Sequence, residues 1–173
     1  MENQASSKNI ILNYGIILGV ISVFQSLIMY AMGKHLQPHW SVGIISGILL
    51  IVLIVLGIKK FKNNNNGFLS FGQAVKVGVG IAIVAGLIGV IYNYIFMNII
   101  EPTYMEQLSE IQLQTMIDQG YSEEQIETTQ DMTKRFSSPA LSAAFGIIGA
   151  AIGGFIVSAI AGAIMQKREE DTF

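Results

Sequence analysis

Residues 136–166 read FSSPALSAAFGIIGAAIGGFIVSAIAGAIMQ, an unbroken run without Asp, Glu, Lys or Arg, held between Arg135 and Lys167. A helix needs about 20 mostly apolar residues to cross the roughly 30 Å hydrocarbon core of a bilayer, and this run is long enough. A helix at the surface of a soluble protein would need a charged face, and no face of this run supplies one. Three further windows have the same character: Asn9 to Gly33, His35 to Ile58, and Val77 to Ile100. Their brackets are Lys8 and Lys34, Lys34 and Lys59, and Lys76 and Glu101, and the apolar part of the second window begins near Val42. The pattern predicts an all-α integral membrane protein with four transmembrane helices at about residues 10–33, 41–58, 77–100 and 139–166. Residues 1–173 form a single membrane domain, expected as a four-helix bundle in the lipid bilayer.

Composition agrees: 51% of the 173 residues are hydrophobic and only 13% are charged, with a mean hydropathy of +0.53. A signal peptide would explain the first window, with Ala31-Met32-Gly33 as a small-x-small cleavage site. The window is too long for a secretory apolar region of about 7–15 residues, so the first helix is expected to be retained. The net charge of −2 gives no general footprint for nucleic acid, which would need clustered Lys and Arg to replace phosphate counterions. The chain has no cysteine, which removes disulfides, thiol nucleophiles and cysteine zinc sites.

Charge is sorted along the chain. Lys8, Lys59, Lys60, Lys62, Lys76, Lys167 and Arg168 fall on one side of the four spans; Lys34, Lys134 and Arg135 fall on the other. Basic loops stay on the cytoplasmic side, so both termini and the loop between spans two and three are expected there. Tyr30, Trp40, Tyr92 and Tyr94 lie at the opposite ends of their spans, at the level where amphipathic rings settle. Asn63 to Gly67 reads as a polar turn. Phe68, Phe71 and Val75 fit either a short interfacial helix or an early start to the third span.

Residues 101–138 hold eight acidic residues (Glu101, Glu106, Glu110, Asp118, Glu123, Glu124, Glu127 and Asp131) against Lys134 and Arg135, a formal −6. Pro102 can open a helix that Gly120 closes, and Ser122 with Gln125 can cap a second. Ile126, Thr129, Met132, Thr133 and Phe136 fall on one stripe, so a helical hairpin with packed arms is expected on the periplasmic side. Glu123, Glu124 and Glu127 are its candidate partner surface.

Within the fourth span Gly146, Ala150, Gly154, Ser158 and Gly162 recur every four residues. In lipid, small residues let helix backbones approach closely enough for packing to hold them. Gly15 with Gly19, and Gly43 with Gly47, offer matching ridges on spans one and two. An internal contact is expected ahead of a dimer seam, with a homo-oligomer left open. Gly78-Val79-Gly80 lies inside a span with no strand before it, which suits packing rather than phosphate binding.

Two stretches resemble a bacterial family known as domain of unknown function 4199. Ser70-Phe71-Gly72-Gln73-Ala74-Val75-Lys76-Val77-Gly78 is similar to its signature before the third span. Gln119 to Ile126, followed by Met132 and Ser137-Ser138-Pro139, looks like its extramembrane hairpin and the start of the last span. Gln73 stands where an acidic residue is common in that family. The resemblance implies the four-span architecture and the bacterial inner membrane; it brings no activity.

No ionisable residue lies inside the spans, and such residues mark proton relays and ion-coupled transport. The polar residues there are Asn13, Ser22, Gln25, Ser26, Ser46, Asn93 and Ser158, suited first to hydrogen bonds between helices. His35 and His39 have an i, i+4 spacing, but Pro38 between them spoils the helix a metal pair would need. No nucleophile, phosphate-loop or dinucleotide motif occurs. The sequence therefore predicts no catalytic residue, no cofactor and no metal. Its leading functional expectation is a non-enzymatic inner-membrane protein presenting the acidic hairpin to an envelope partner. The alternative is a small-solute channel or transporter using the Asn, Gln and Ser side chains.

Overall fold

The computed structural model describes residues 7–136 and 138–167; Ser137, Arg168 and the side chains of Arg135 and Phe136 lie outside the description. Helices run in the order α1 (Ser7–Ala31), α2 (Trp40–Asn64), α3 (Phe71–Ile95), α4 (Tyr104–Asp118), α5 (Glu123–Phe136) and α6 (Pro139–Met165). Beyond α3, Phe96–Ile100 continues in wider turns, closed by Glu101 N–H donating to the Phe96 carbonyl at 2.8 Å. Four helices are long and apolar enough to cross a membrane: α1, α2, α3 with its wide-turned extension, and α6. Their outward surfaces are apolar, with Phe24 65%, Ile91 60% and Ile164 79% exposed. This is the exterior of a multi-pass membrane protein, where lipid rather than water meets the side chains.

Local chemistry sets the helix ends. α2 continues past Ile58 through Lys59, Lys60 and Lys62, cations that favour a helix C-terminus. Lys62 Nζ donates to the Met165 carbonyl at 2.7 Å, joining the ends of α2 and α6. The chain then reverses at Asn66 and Gly67, with φ of 53° and 83°. Glycine adopts that left-handed geometry without the cost a side chain incurs. Leu69 and Lys167 exchange both backbone hydrogen bonds at 2.9 Å, an antiparallel bridge across the mouths of α3 and α6.

α3 starts at Phe71, so the early-span reading describes Phe71 and Val75, while Phe68 precedes the helix and lies under Lys167. Its first turn is a capping box: Gln73 N–H donates to Ser70 Oγ at 3.2 Å, and Ser70 N–H donates to Gln73 Oε1 at 2.8 Å. A glutamate could fill the same reciprocal role, so Gln73 is tied here to helix initiation rather than to charge. Ser138 caps α6, and Pro139 occupies its first turn.

α3 is the axis of the membrane unit, with its principal interfaces to α6 and α1. Against α6 it presents Ala74, Gly78, Ala82 and Gly86, four small residues one turn apart. They meet Gly162, Ser158, Gly154 and Ala150 in that order: each step up α3 is a step back along α6. The contacts are close, since a Cβ built on Gly78 would stand 2.3 Å from the Ser158 Cβ. α1 runs parallel to α3 on another side, with Gly15 against Val84, Gly19 against Ile88 and Ile11 against Gly80. α2 closes the unit near its lysine end, where Leu53, Ile54, Gly57, Ile58 and Phe61 are buried.

Burial is thus concentrated in the half nearest the lysines. Towards the acidic end the helices separate: Gly146 is only within 3.9 Å of Val90, and beyond it α3 and α6 diverge around an apolar groove of about 810 Å³. Gly43 and Gly47, expected on a packing ridge, have no atom within 4 Å of a built Cβ. α2 meets α1 there through Val42 and Ser46, one residue round the helix, which turns both glycines outward.

The expected segment between α3 and α6 contains two helices with a turn at Gly120 (φ 77°) and a Ser122–Gln125 capping box at 3.0 and 3.3 Å. α4 begins at Tyr104, two residues after Pro102. Among the described residues α4 and α5 share no extended interface and α4 buries no residue, so packing of the two arms into the expected hairpin is not shown. The apolar residues of α4 form a ragged stripe, and on α5 Met132 remains 59% exposed.

Candidate functional site

At the acidic end, where the spans separate, a cavity of about 270 Å³ opens between α1, α2, α3 and the start of α4. Its polar wall gathers Ser22, Gln25 and Ser26 from α1, Ser46 from α2 and Asn93 from α3, five of the seven polar residues singled out from the sequence. Ser158 is instead fully buried in the α3–α6 seam.

Gln25 and Ser46 tie α1 to α2. Gln25 Nε2 donates to the Val42 carbonyl at 3.1 Å and to Ser46 Oγ at 3.0 Å, and Gln25 Oε1 lies 3.2 Å from the same hydroxyl. Ser22 and Ser26 donate to the carbonyls of Leu18 and Ser22, one turn back, and Ser46 also reaches the Val42 carbonyl. None of these hydroxyls is held by a general base, as an activated nucleophile would be.

The rim is aromatic. Phe96, itself buried, has Tyr30 at 5.2 Å, Tyr104 at 5.5 Å, Tyr92 at 5.7 Å and His35 at 6.0 Å between ring centroids. The His35 ring meets Tyr30 edge-on at 5.0 Å and stacks on Tyr104 at 6.0 Å. Both of its ring nitrogens are buried with no hydrogen-bond partner among the described residues. His39 has a different role, accepting from Ser41 N–H at 3.3 Å as the cap of α2. The two histidines therefore serve different neighbourhoods, and no cluster of metal-ligating side chains forms among the described residues.

Glu101 fastens this rim. Its carboxylate accepts from Tyr30 Oη at 3.2 Å, from Thr103 Oγ1 at 2.5 Å and from Gln107 Nε2 at 3.1 Å. The Thr103 hydroxyl, with help from Tyr30, nearby His35 and Gln107, holds the carboxyl below its ordinary range against an opposing desolvation effect. The widened turns after Phe96 deliver Glu101 to this position, where it links α1 to the start of α4.

Glu123, Glu124 and Glu127 lie exposed on α5, away from the cavity wall. Sequence reasoning named the polar wall but not the aromatic rim. Tyr92 and Phe96 lie one turn apart, but Tyr30, His35 and Tyr104 come from other parts of the chain, and no local spacing connects them to that pair.

The family model described as Protein of unknown function (DUF4199) matches residues 13–167, which include every element of the cavity. No curated protein and no solved structure matches the chain.

Proposed function

Because the chain belongs to the DUF4199 family, whose description assigns no activity, we propose its role from its geometry: a non-enzymatic membrane protein that presents α4 and α5 to a protein partner. The observation carrying this reading is that, among the described residues, the two helices of 15 and 14 residues show no extended mutual interface and α4 buries none of its residues. Isolated helices of that length are marginal in water, so an additional surface covering them would stabilise their fold. The net charge of −6 across residues 101–138 favours a basic partner, and Glu123, Glu124 and Glu127 provide exposed carboxylates for it.

In this reading the lysine end is cytoplasmic, the membrane is the bacterial inner membrane, and α4 and α5 stand in the periplasm facing an envelope protein. A continuous solute channel has less support. The lysine-end half is filled by Ile54, Ile58, Val77 and Ile81, all 0–1% exposed.

Photo-crosslinking from Thr128 in living cells should trap one adduct of constant mass. Replacing Glu123, Glu124 and Glu127 together by Gln should abolish it, while a crosslinker at Ile164 should report lipid throughout. Recovery of the same adducted protein from a chain lacking Thr103 to Thr133, with the crosslinker moved to Met32, would reject the assignment.

A further inference from the structure

Independently of the partner surface, we infer that the cavity at the acidic end binds a small, planar, uncharged solute with an amide-like hydrogen-bonding edge. Three observations converge on that chemistry. First, His35 lines the cavity and has both ring nitrogens buried without a partner among the described residues. Neither nitrogen is accessible from the cavity as the ring stands, so the imidazole turns to meet a solute, and the cost of its unsatisfied polar groups favours that turn. Second, the lining contains no Lys, Arg, Asp or Glu. An ion would lose hydration without gaining a counter-charge on the wall, so an uncharged molecule is favoured. Glu101 lies at the rim, but Tyr30, Thr103 and Gln107 already occupy it.

Third, shape and edge chemistry select within the uncharged class. Tyr92, Phe96 and Tyr104 supply flat apolar faces, while Asn93 carries an amide that can meet a paired donor and acceptor; the Gln25 amide is already engaged with Val42 and Ser46. The volume of about 270 Å³ lies just below the range of drug-sized pockets. A single-ring amide or imide, of the size of a nucleobase, satisfies all three conditions. The site opens at the acidic end and stops at the buried lysine-end core, so it suits capture from one side rather than passage.

The chain has two histidines, and His39 is the internal control because it caps α2 outside the cavity. Full-length protein with isotope-labelled histidine, in lipid nanodiscs, should be titrated with uracil as the probe. Orotate, the same ring bearing a carboxylate, is the charged comparator. The His35 ring signals should shift saturably with uracil while those of His39 stay fixed, and orotate should bind at least about tenfold more weakly.

Asn93→Leu should weaken uracil binding by about tenfold, as expected when a hydrogen bond in a desolvated site is lost. Asn98→Leu should leave binding unchanged, since Asn98 Nδ2 donates to the Tyr94 carbonyl outside the cavity. Unchanged His39 signals in both variants establish that each retains the local fold. No saturable His35 shift with uracil, equal affinity for orotate, or full binding by Asn93→Leu would each overturn the inference. Loss of binding here leaves the crosslink from Thr128 unaffected, which separates this inference from the proposed partner surface.

Discussion

Gly154→Ala is the smallest change that tests the α3–α6 seam. A Cβ at this position would stand 2.5 Å from the Ala82 Cβ, 3.2 Å from the Gly78 carbonyl oxygen and 3.3 Å from the Val79 Cα. Carbon atoms in good contact sit about 3.5–4.0 Å apart, so the methyl requires roughly 1 Å of separation at the tightest point. Two of the three obstacles are backbone, which cannot move aside as a flexible side chain could. Separation there also loosens the neighbouring pairs of Gly78 with Ser158 and Gly86 with Ala150. Overpacking of this kind costs about 1–3 kcal/mol. Gly149→Ala is the matched control on the same helix, because nothing lies within 4 Å of its built Cβ. It should change stability by less than about 0.5 kcal/mol. Reversible unfolding in mixed micelles, followed by circular dichroism, measures both variants. Adding Ala82→Gly to Gly154→Ala removes the 2.5 Å clash and should restore more than half of the loss. Equal stabilities for the two single variants, or no recovery in the double variant, would refute the seam.

Two further predictions use the ends of the membrane unit. A periplasm-active reporter fused at Gln119 should be active, and fusions after Asn64 or at Phe173 should be silent; the opposite pattern would invert the topology read from the lysines. The Glu101 carboxyl is held below its ordinary value of 4.5, so the links from Tyr30, Thr103 and Gln107 should persist above that pH and loosen as pH falls through the depressed value. Spin labels at Met32→Cys and Ser109→Cys, introduced into a chain with no native cysteine, should show a distance distribution that broadens only in the acidic range. With Glu101→Gln it should be broad at every pH, and a pH-independent narrow distribution in that variant would contradict the latch.

The four spans were readable because lipid excludes charge: every long uncharged window became a helix, and the lysines and Glu101 lie near its boundaries. The exact ends were less readable. α2 runs through three lysines because their side chains can reach polar surroundings, and Lys62 finds the end of α6. The small stripe on α6 was visible, but the matching Ala74, Gly78, Ala82 and Gly86 face was obscured by counting glycines alone. Gly43 and Gly47 have the same spacing and meet nothing. A spacing gives the ridge and not the neighbour, because tertiary rotation decides which face turns inward. Ser22, Gln25, Ser46 and Asn93 were recognisable as polar residues within apolar windows. The imidazole cage was not, because it depends on a widened turn after Phe96 and on long-range ring contacts that leave no sequence period.

The pairing of α3 with α6 also has a consequence for synthesis. α3 leaves the ribosome well before its partner, with residues 101–138 emerging in the interval. During that interval the groove of Ala74, Gly78, Ala82 and Gly86 has no α6 to fill it, and only lipid or another nascent helix can lie against it. An arrest before Pro139 would preserve three membrane-crossing helices but expose the most closely packed seam of the finished chain. Membrane insertion can therefore precede final packing, and the arrival of α6 is the step that closes the α3 seam.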